Sequence, residues 1–255
     1  MSTVEKTDAI VLRSAPIRET SLIITFLSRD FGKIKTISKG VRKGRSPLLS
    51  HFEPFTYQEI VFYHHPQREI NLITDSTVKE SFSFIRNDFV KICVASYMVD
   101  LVDEVTQAHQ QQKELFNLLL YVLCELKCTH PLKLLRLFEV NVLKYSGLFP
   151  NLEKCSVCGR AQLPSRLFFS FHHGGIICSQ AACRQKAREH IDISSGCIAA
   201  MKFLKEHTFT DLNAFQVSNT IEGEMMRLMQ SFISYHLHHE LKSMRFMKDV
   251  GVMVS

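Results

Sequence analysis

The chain has 255 residues, of which 45% are hydrophobic, so it can bury a sizeable core in one large domain or in two to three small ones. Its most apolar run, residues 115–124, is far too short to cross a bilayer, which argues against a membrane-spanning class. No secretory signal pattern opens the sequence, and eight cysteines without such a signal favour a reducing compartment. We therefore expect a cytoplasmic protein with no membrane partner.

The net charge of +6 is confined to the N-terminal segment. Residues 1–45 contain ten Lys and Arg against four Asp and Glu, whereas the remaining residues contain equal numbers of bases and acids. A cationic stripe on a neutral body is typical of a protein that binds a polyanion, and nucleic acid is the first candidate. The alternative is a solvated charged loop without a binding role.

The first 80 residues have the pattern of short β-strands separated by turns. Apolar and β-branched runs predict strands at residues 9–12, 21–27, 33–39, 55–63 and 70–73. Five short strands of this kind favour a small closed barrel of the OB type.

The cations of this region predict a nucleic-acid surface on that barrel. Because side chains alternate along a strand, Lys33, Lys35 and Lys39 share one face, and a flexible basic loop follows them. The candidate DNA-binding residues are Arg13, Lys33, Lys35, Lys39, Arg42, Lys43 and Arg45. Aromatic side chains that either stack on bases or belong to the barrel core are Phe26, Phe31, Phe52, Tyr57 and Tyr63.

After residue 80 the apolar period becomes helical. The spacing predicts helices over residues 89–103, 115–126 and 195–207, another that begins at Pro131, and a last one from Asn219. The predicted fold class is α+β and multidomain, with an N-terminal five-stranded OB-type β-barrel and a C-terminal α-helical bundle that carries an inserted zinc finger. The predicted domains are 1–80 for nucleic-acid binding, 81–150 with 191–255 for the bundle, and 151–190 for the insertion.

Two cysteine pairs mark the insertion: Cys155 with Cys158, and Cys178 with Cys183. Four thiolates at such spacings fit a closed tetrahedral zinc shell, which stabilises a fold and leaves no position for substrate. Alternatives are a redox dithiol or disulfides, and a histidine in place of one sulfur. The histidines considered for that place are His172, His173 and His190. We predict one structural zinc ion.

The other four cysteines, Cys93, Cys124, Cys128 and Cys197, lie in apolar helical patterns and are interpreted as small buried hydrophobic residues.

The sequence contains no recognisable catalytic motif. It contains no phosphate-binding glycine loop, no nucleophile elbow and no H-E-x-x-H motif. The acids Asp100, Asp103 and Glu104 are interpreted as a solvated helix face rather than as a catalytic cluster. We therefore expect a protein that is not an enzyme.

The order of several short motifs resembles the bacterial RecO family of recombination mediators over nearly the full length. The N-terminal motifs are Ala9-Ile-Val-Leu-Arg13, Glu19-Thr-Ser21, Phe31-Gly-Lys33, Lys39-Gly-Val-Arg42, Ser46 and Phe52-Glu-Pro-Phe55. The later motifs are Leu134-Leu-Arg-Leu-Phe-Glu139, Gly147-Leu-Phe-Pro150, Cys155-Ser-Val-Cys158-Gly159, Gly174-Gly-Ile-Ile-Cys178 and Tyr235-His-Leu-His-His-Glu-Leu-Lys-Ser243.

This resemblance implies an OB fold, a helical bundle, a zinc finger and a non-enzymatic activity. It implies binding of single- and double-stranded DNA, annealing of complementary strands, and help in loading the RecA recombinase onto strands covered by single-strand-binding protein. The implied partners are RecR and the acidic C-terminal tail of the single-strand-binding protein, and the implied location is the nucleoid. Carried over by motif are Lys33, Lys39 and Arg42 on the basic surface and the four cysteines at the metal.

Two other functions compete with this hypothesis. A protein-only scaffold would use the barrel and the zinc finger as docking surfaces. A zinc nuclease is disfavoured because a four-thiolate shell is closed and no carboxylate pair suits a two-metal site.

Overall fold

A computed structural model describes the chain over seven ranges: 3–42, 47–65, 68–108, 110–162, 166–187, 189–207 and 215–252. The chain divides into two compact units. The first contains the residues up to Phe138 together with Leu241–Val252, and the second contains Glu139–Glu240.

The first unit begins with a closed five-stranded barrel. Its strands are β1 (Thr3–Ile17), β2 (Ser21–Ser28), β3 (Gly32–Ser38), β4 (Tyr57–His64) and β5 (Ile70–Glu80). The strand order is β1-β2-β3-β5-β4, and β4 pairs with β1 to close the sheet. All pairings are antiparallel except the one between β3 and β5. The prediction of an N-terminal OB-type barrel is confirmed.

Alternation along the strands builds the barrel core. On β3, Ile34 and Thr36 are buried, whereas Lys33, Lys35 and the following Lys39 point away from the core, as the strand period predicts. The 3-10 helix Pro47–Phe52 places Phe52 in the interior, where its ring lies 6.4 Å from that of Phe26. The buried hydrophobic residues of this core are Ala9, Val11, Leu22, Ile24, Phe26, Ile34, Val41, Phe52, Ile60, Phe62 and Ile73.

Helices complete the first unit. They are α1 (Ser83–Arg86), α2 (Phe89–Val105), α3 (Lys113–Glu125) and the last helix of the chain, α8 (Lys242–Asp249). Asp88 caps α2, since its carboxylate accepts a hydrogen bond from the Lys91 backbone N–H at 3.1 Å. The α8 helix is amphipathic and buries Met244 and Met247. The division between the two units falls within α4 (Pro131–Tyr145).

The second unit combines a small sheet with helices. Its strands are β6 (Leu167–Ser170), β7 (Gly175–Cys178) and β8 (Ile191–Ile193), in the order β7-β6-β8. The short helix α5 (Ala181–Ala187) lies between β7 and β8 in the sequence.

Two longer helices, α6 (Ser195–Glu206) and α7 (Asn219–Leu237), follow the small sheet. Ser194 and Ser218 cap them, because each hydroxyl accepts a hydrogen bond from a backbone N–H of the first turn.

The predicted helices are present, but compactness groups them differently from the predicted domains. The α2, α3 and α8 helices belong to the unit of the barrel, and α6 and α7 belong to the unit of the cysteines. The boundaries 1–80, 81–150 with 191–255, and 151–190 therefore stay a prediction. Among the described residues, no helix has the length and apolar character that crossing a membrane requires.

Candidate metal centre and nucleic-acid interface

The first cysteine pair lies on a tight turn that aims both sulfurs at one point. The Gly159 N–H donates to the Cys155 carbonyl at 2.8 Å, and the Cys155 N–H donates to the Arg160 carbonyl at 2.9 Å. Gly159 has a φ of 74°, a left-handed conformation that glycine adopts without the steric cost of a side chain. The turn therefore brings Cys155 and Cys158 to the same side of the backbone.

The second cysteine pair joins a strand end to a helix. Cys178 is the last residue of β7, and β6 holds that strand through antiparallel pairing. Cys183 lies in the first turn of α5, where its N–H donates to the Gln180 carbonyl at 3.0 Å. The four-residue gap of this pair thus contains the step from strand to helix.

The four cysteine sulfur atoms lie close enough together to form one group of ligands. All four Sγ atoms lie within 4.8 Å of one another, and Cys158 Sγ lies 3.9 Å from Cys178 Sγ. The edge of a tetrahedron with metal–sulfur bonds of about 2.3 Å is about 3.8 Å. Cys155, Cys178 and Cys183 are buried, whereas Cys158 is exposed. The arrangement could hold a metal ion.

The pKa values of two of these cysteines are also compatible with the binding of a metal cation. Burial raises the pKa of Cys155, but the backbone N–H groups around it outweigh this effect and bring the pKa to about 6. One of these donors is the Cys178 N–H, at 3.4 Å from Cys155 Sγ. Burial, followed by hydrogen bonds to Cys178 and Cys158, raises the pKa of Cys183 to about 12. A bound metal ion would replace the proton that this thiol otherwise keeps.

The histidines considered as alternative ligands have other neighbours. His173 Nδ1 lies 3.2 Å from the Ser170 hydroxyl, and the His190 ring packs edge-on against Phe168 at 4.9 Å. Within the described ranges, the group that could hold a metal contains cysteines only.

The remaining cysteines divide into two kinds. Cys93 and Cys197 are buried, but Cys124 and Cys128 are exposed, so the prediction of four buried residues is wrong for these two. The helical apolar pattern misled because Cys124 lies in the last turn of α3 and Cys128 lies beyond it, where the helix has given way to a turn.

Two of the predicted DNA-binding cations are bound to acids of α2. Arg13 lies 3.5 Å from Asp100 and 3.1 Å from Asp103. Lys33 lies 3.2 Å from Asp103, and its side chain is only 18% exposed. The sequence pattern indicates a solvated face for these acids. The packing of α2 against the barrel shows instead that they pair with Arg13 and Lys33.

Other predicted cations are open to solvent at one end of the barrel. Lys39 and Arg42 are exposed and follow β3, and the Arg42 backbone N–H donates to the Thr20 carbonyl at 2.9 Å. Arg18, which the sequence analysis did not select, is exposed in the same β1–β2 turn as Thr20. Within the described part of the chain, these three residues, here called the barrel-end cations, form no ion pair.

Lys35 is exposed and lies 2.5 Å from Glu69. Lys43 and Arg45 lie outside the described residues.

The candidate stacking residues are mostly interior. Phe26 and Phe52 belong to the barrel core, and Phe31 packs edge-on against Phe62 at 5.4 Å. The Tyr57 hydroxyl donates to Asp8 at 2.9 Å. Tyr63 is the exposed member of the set.

These observations define a class: a protein with an OB-type barrel, several helices and a four-cysteine group that could hold a metal ion. Comparison with known families assigns the chain more closely. Residues 1–82 match the domain described as Recombination protein O N terminal, and residues 86–245 match Recombination protein O C terminal. The chain belongs to the RecO family.

Its relatives are similar over almost their whole length. The DNA repair protein RecO of Desulforamulus reducens is 33% identical over 242 residues, which are 95% of this chain and 93% of that protein. The DNA repair protein RecO of Myxococcus xanthus is 32% identical over 248 residues, which are 96% of this chain and 97% of that protein.

Proposed function

We propose that this chain is a DNA-binding recombination mediator in DNA repair. In this role it binds single- and double-stranded DNA without sequence preference, anneals complementary strands and helps load RecA onto strands covered by single-strand-binding protein. The observation that carries the proposal is the full-length match to relatives named DNA repair protein RecO. The proposed activity is non-enzymatic, because mediation requires binding and release rather than bond chemistry.

The barrel-end cations are the proposed DNA contact on the barrel. Arg18, Lys39 and Arg42 are exposed and are held close together by the pairing of β1, β2 and β3. Cations of this kind bind phosphates of any sequence and release counterions, so affinity should fall steeply with salt. Lys43 and Arg45 are proposed to extend this surface, as is Lys35, because its pairing with Glu69 is exposed to solvent and therefore weak.

Arg13 and Lys33 are proposed to contribute less to DNA binding. Both are paired with Asp103, so a phosphate would have to compete with a carboxylate that is already in place. The acids of α2 would also repel the DNA backbone near them.

One zinc ion is the proposed occupant of the cysteine group. Four thiolates in a tetrahedral arrangement are the donor set of structural zinc, and such a shell leaves no open position for water or substrate. Its proposed role is to hold Cys155, Cys158, Cys178 and Cys183 together and so to fold the second unit.

The proposed partners are RecR and the acidic C-terminal tail of the single-strand-binding protein, with RecA reached indirectly and no membrane involved. The proposed location is the cytoplasm, in association with the nucleoid. The second candidate function is a protein-only scaffold. The pairing of Arg13 and Lys33 with acids favours it, because this pairing lowers the free positive charge of the barrel.

Fluorescence anisotropy of labelled DNA across a salt series tests the proposal. We expect salt-sensitive binding that does not depend on sequence. Replacing Arg18, Lys39 and Arg42 with Ala should reduce the slope of log affinity against log salt by roughly 0.7 per lost phosphate contact on single strands.

A matched control removes three cations that already have acid partners. Lys6, Arg166 and Lys202 pair with Glu59, Asp192 and Glu153, respectively. Their replacement with Ala should change affinity much less, although the net charge falls equally. No binding by the wild-type chain at low salt would reject DNA binding and favour the scaffold.

A further inference from the structure

Two phenylalanine rings lie uncovered on the helices of the first unit. Phe89 at the start of α2 is 55% exposed, and Phe246 on α8 is 50% exposed. Their ring centroids are 6.4 Å apart, at an interplanar angle of 66°. Val90, the residue after Phe89, and Val250, one helical turn after Phe246, are also exposed. Single exposed apolar residues are ordinary, but neighbouring aromatic rings that remain half exposed mark a binding surface.

Cations outnumber acids on α8, the helix that carries Phe246. Exposed Lys242, Arg245 and Lys248 lie on α8, whereas Asp249 is the helix's single acid. Lys242 lies one helical turn before Phe246, on the same face. Asp88, the acid nearest to Phe89 in the chain, is engaged as the cap of α2. Asp249 lies three residues after Phe246 and shares its face, so the cations Lys242 and Arg245 lie on the N-terminal side of this ring and the acid lies on its C-terminal side.

Rings and cations in this arrangement match the chemistry of single-stranded nucleic acid. An exposed aromatic face stacks on any base, and neighbouring cations hold the phosphates on either side. A duplex hides its base faces, so it would use the cations alone. An acidic apolar peptide is the other ligand with matching charge, but its apolar anchors require an enclosing pocket. Half-exposed rings that meet at an angle of 66° instead offer an open ring face on which a base can stack.

We propose that Phe89 and Phe246, with Lys242 and Arg245, form a second DNA contact that is specific for single strands. It rests on the proposed DNA binding and adds a site on α2 and α8 to the barrel-end cations. Bases stack on the two rings, and phosphates lie along the cationic side of α8. The chain thereby distinguishes an unpaired strand from a duplex, which phosphate contacts on the barrel cannot do.

A tryptophan reporter tests the stacking directly. The chain contains no Trp, so Phe246→Trp introduces a single indole fluorophore. Titration with oligo-dT should quench its emission, and the quenching should saturate at the same DNA ratio as anisotropy of the same mixture. A duplex of equal length should bind with little quenching.

Paired substitutions separate stacking from apolar contact. Phe89→Leu with Phe246→Leu keeps apolar side chains but removes both rings. We expect its affinity for oligo-dT to fall by at least about fivefold, the lower bound for one stacked base, with duplex affinity unchanged. Tyr145→Leu is the control, because Tyr145 is also an exposed aromatic residue beside a lysine, Lys144. It should leave both affinities unchanged.

The outcomes are distinguishable. Wild-type DNA binding with no indole quenching, or with full affinity in the double Leu variant, would overturn the single-strand site and leave the proposed function standing. Absence of wild-type binding at low salt would overturn both. An emission shift with a synthetic acidic, phenylalanine-containing peptide, but not with oligo-dT, would show that the surface docks a protein segment and would also overturn the proposal.

Discussion

The barrel and the segment that carries the cysteines, residues 151–190 (here the cysteine module), are stabilised in different ways. Among the residues that the structure describes, the barrel core contains eleven buried hydrophobic side chains, including Phe26, Phe52 and Phe62. The described part of the cysteine module has a buried cluster of six residues, and three of these are Cys155, Cys178 and Cys183. A region of about 40 residues rarely remains folded on its own apolar core and usually needs a cross-link or a metal. The difference teaches that the candidate metal ligands themselves form half of the buried cluster on their side of the small sheet, whereas apolar side chains alone fill the barrel.

Loss of the proposed metal should have the largest effect on stability and should act on the cysteine module alone. Cys155→Ser deletes one ligand, and we expect a loss on the order of 5 kcal/mol or more in the stability of the module, since structural zinc contributes free energy of this order to folding. Hydrogen exchange, resolved by peptide, should show lost protection at β6, β7 and α5 and unchanged protection at β1–β5.

The control for this experiment is Cys128→Ser, because Cys128 is exposed and lies outside the four-cysteine group. It should retain full metal content. If chelation of the wild-type protein changed neither the thiol count nor the exchange of the module, the metal assignment would be wrong.

A cavity in the barrel core should destabilise the barrel and leave the cysteine module unchanged. Phe62 is fully buried, and Phe62→Ala should lower the free energy of unfolding of the barrel by about 3–5 kcal/mol. The module should keep its metal and its exchange protection. The neighbouring Tyr63 is exposed on the same strand, so Tyr63→Ala should cost far less. Equal effects of the two substitutions would contradict the assignment of the barrel interior.

A glycine substitution tests the approach of another segment to the barrel. Gly32 has a φ of 64°, and a Cβ there would lie 2.0 Å from the Gln110 carbonyl oxygen. Gly32→Ala should therefore cost about 2–3 kcal/mol, from backbone strain and the displacement of Gln110. Gly40 has a φ of 71°, and no atom of the described residues lies within 4 Å of a Cβ there, so Gly40→Ala should cost only about 1 kcal/mol. Thermal melts of the two variants make the comparison.

The smallest expected effect concerns a charge on the barrel. Burial raises the pKa of Asp8, but hydrogen bonds from Lys79 and Tyr57 and the nearby Arg29 outweigh it and lower the pKa. The stabilisation is therefore present above the unfolded pKa and is lost as pH falls through the lower folded value. Asp8→Asn should cost about 1 kcal/mol at neutral pH and weaken the acid dependence of barrel stability. An unchanged acid limb in urea titrations would contradict this.

Sequence pattern predicts the elements and the grouping of four cysteines that could hold a metal, because each element and each cysteine pair depends on local spacing. Strand alternation indicates the face of Lys33 and Lys35, and the tight turn around Cys155 and Cys158 follows from their separation. The pairing of Arg13 with Asp100 and Asp103 could not be predicted, because it joins residues far apart in the chain. The same holds for Phe89 and Phe246, whose separate patterns contain no sign that they meet.

The first unit cannot complete its fold until α8 has been synthesised. The unit that contains the barrel includes Leu241–Val252, so its last helix leaves the ribosome after the whole second unit has been made. Until then the positions of Met244 and Met247 in the first unit stay unfilled and leave apolar surface open. A ribosome that stops near residue 240 would release a chain whose first-made unit is unfinished. Completion of that unit therefore requires that translation has passed Asp249, the last residue of α8.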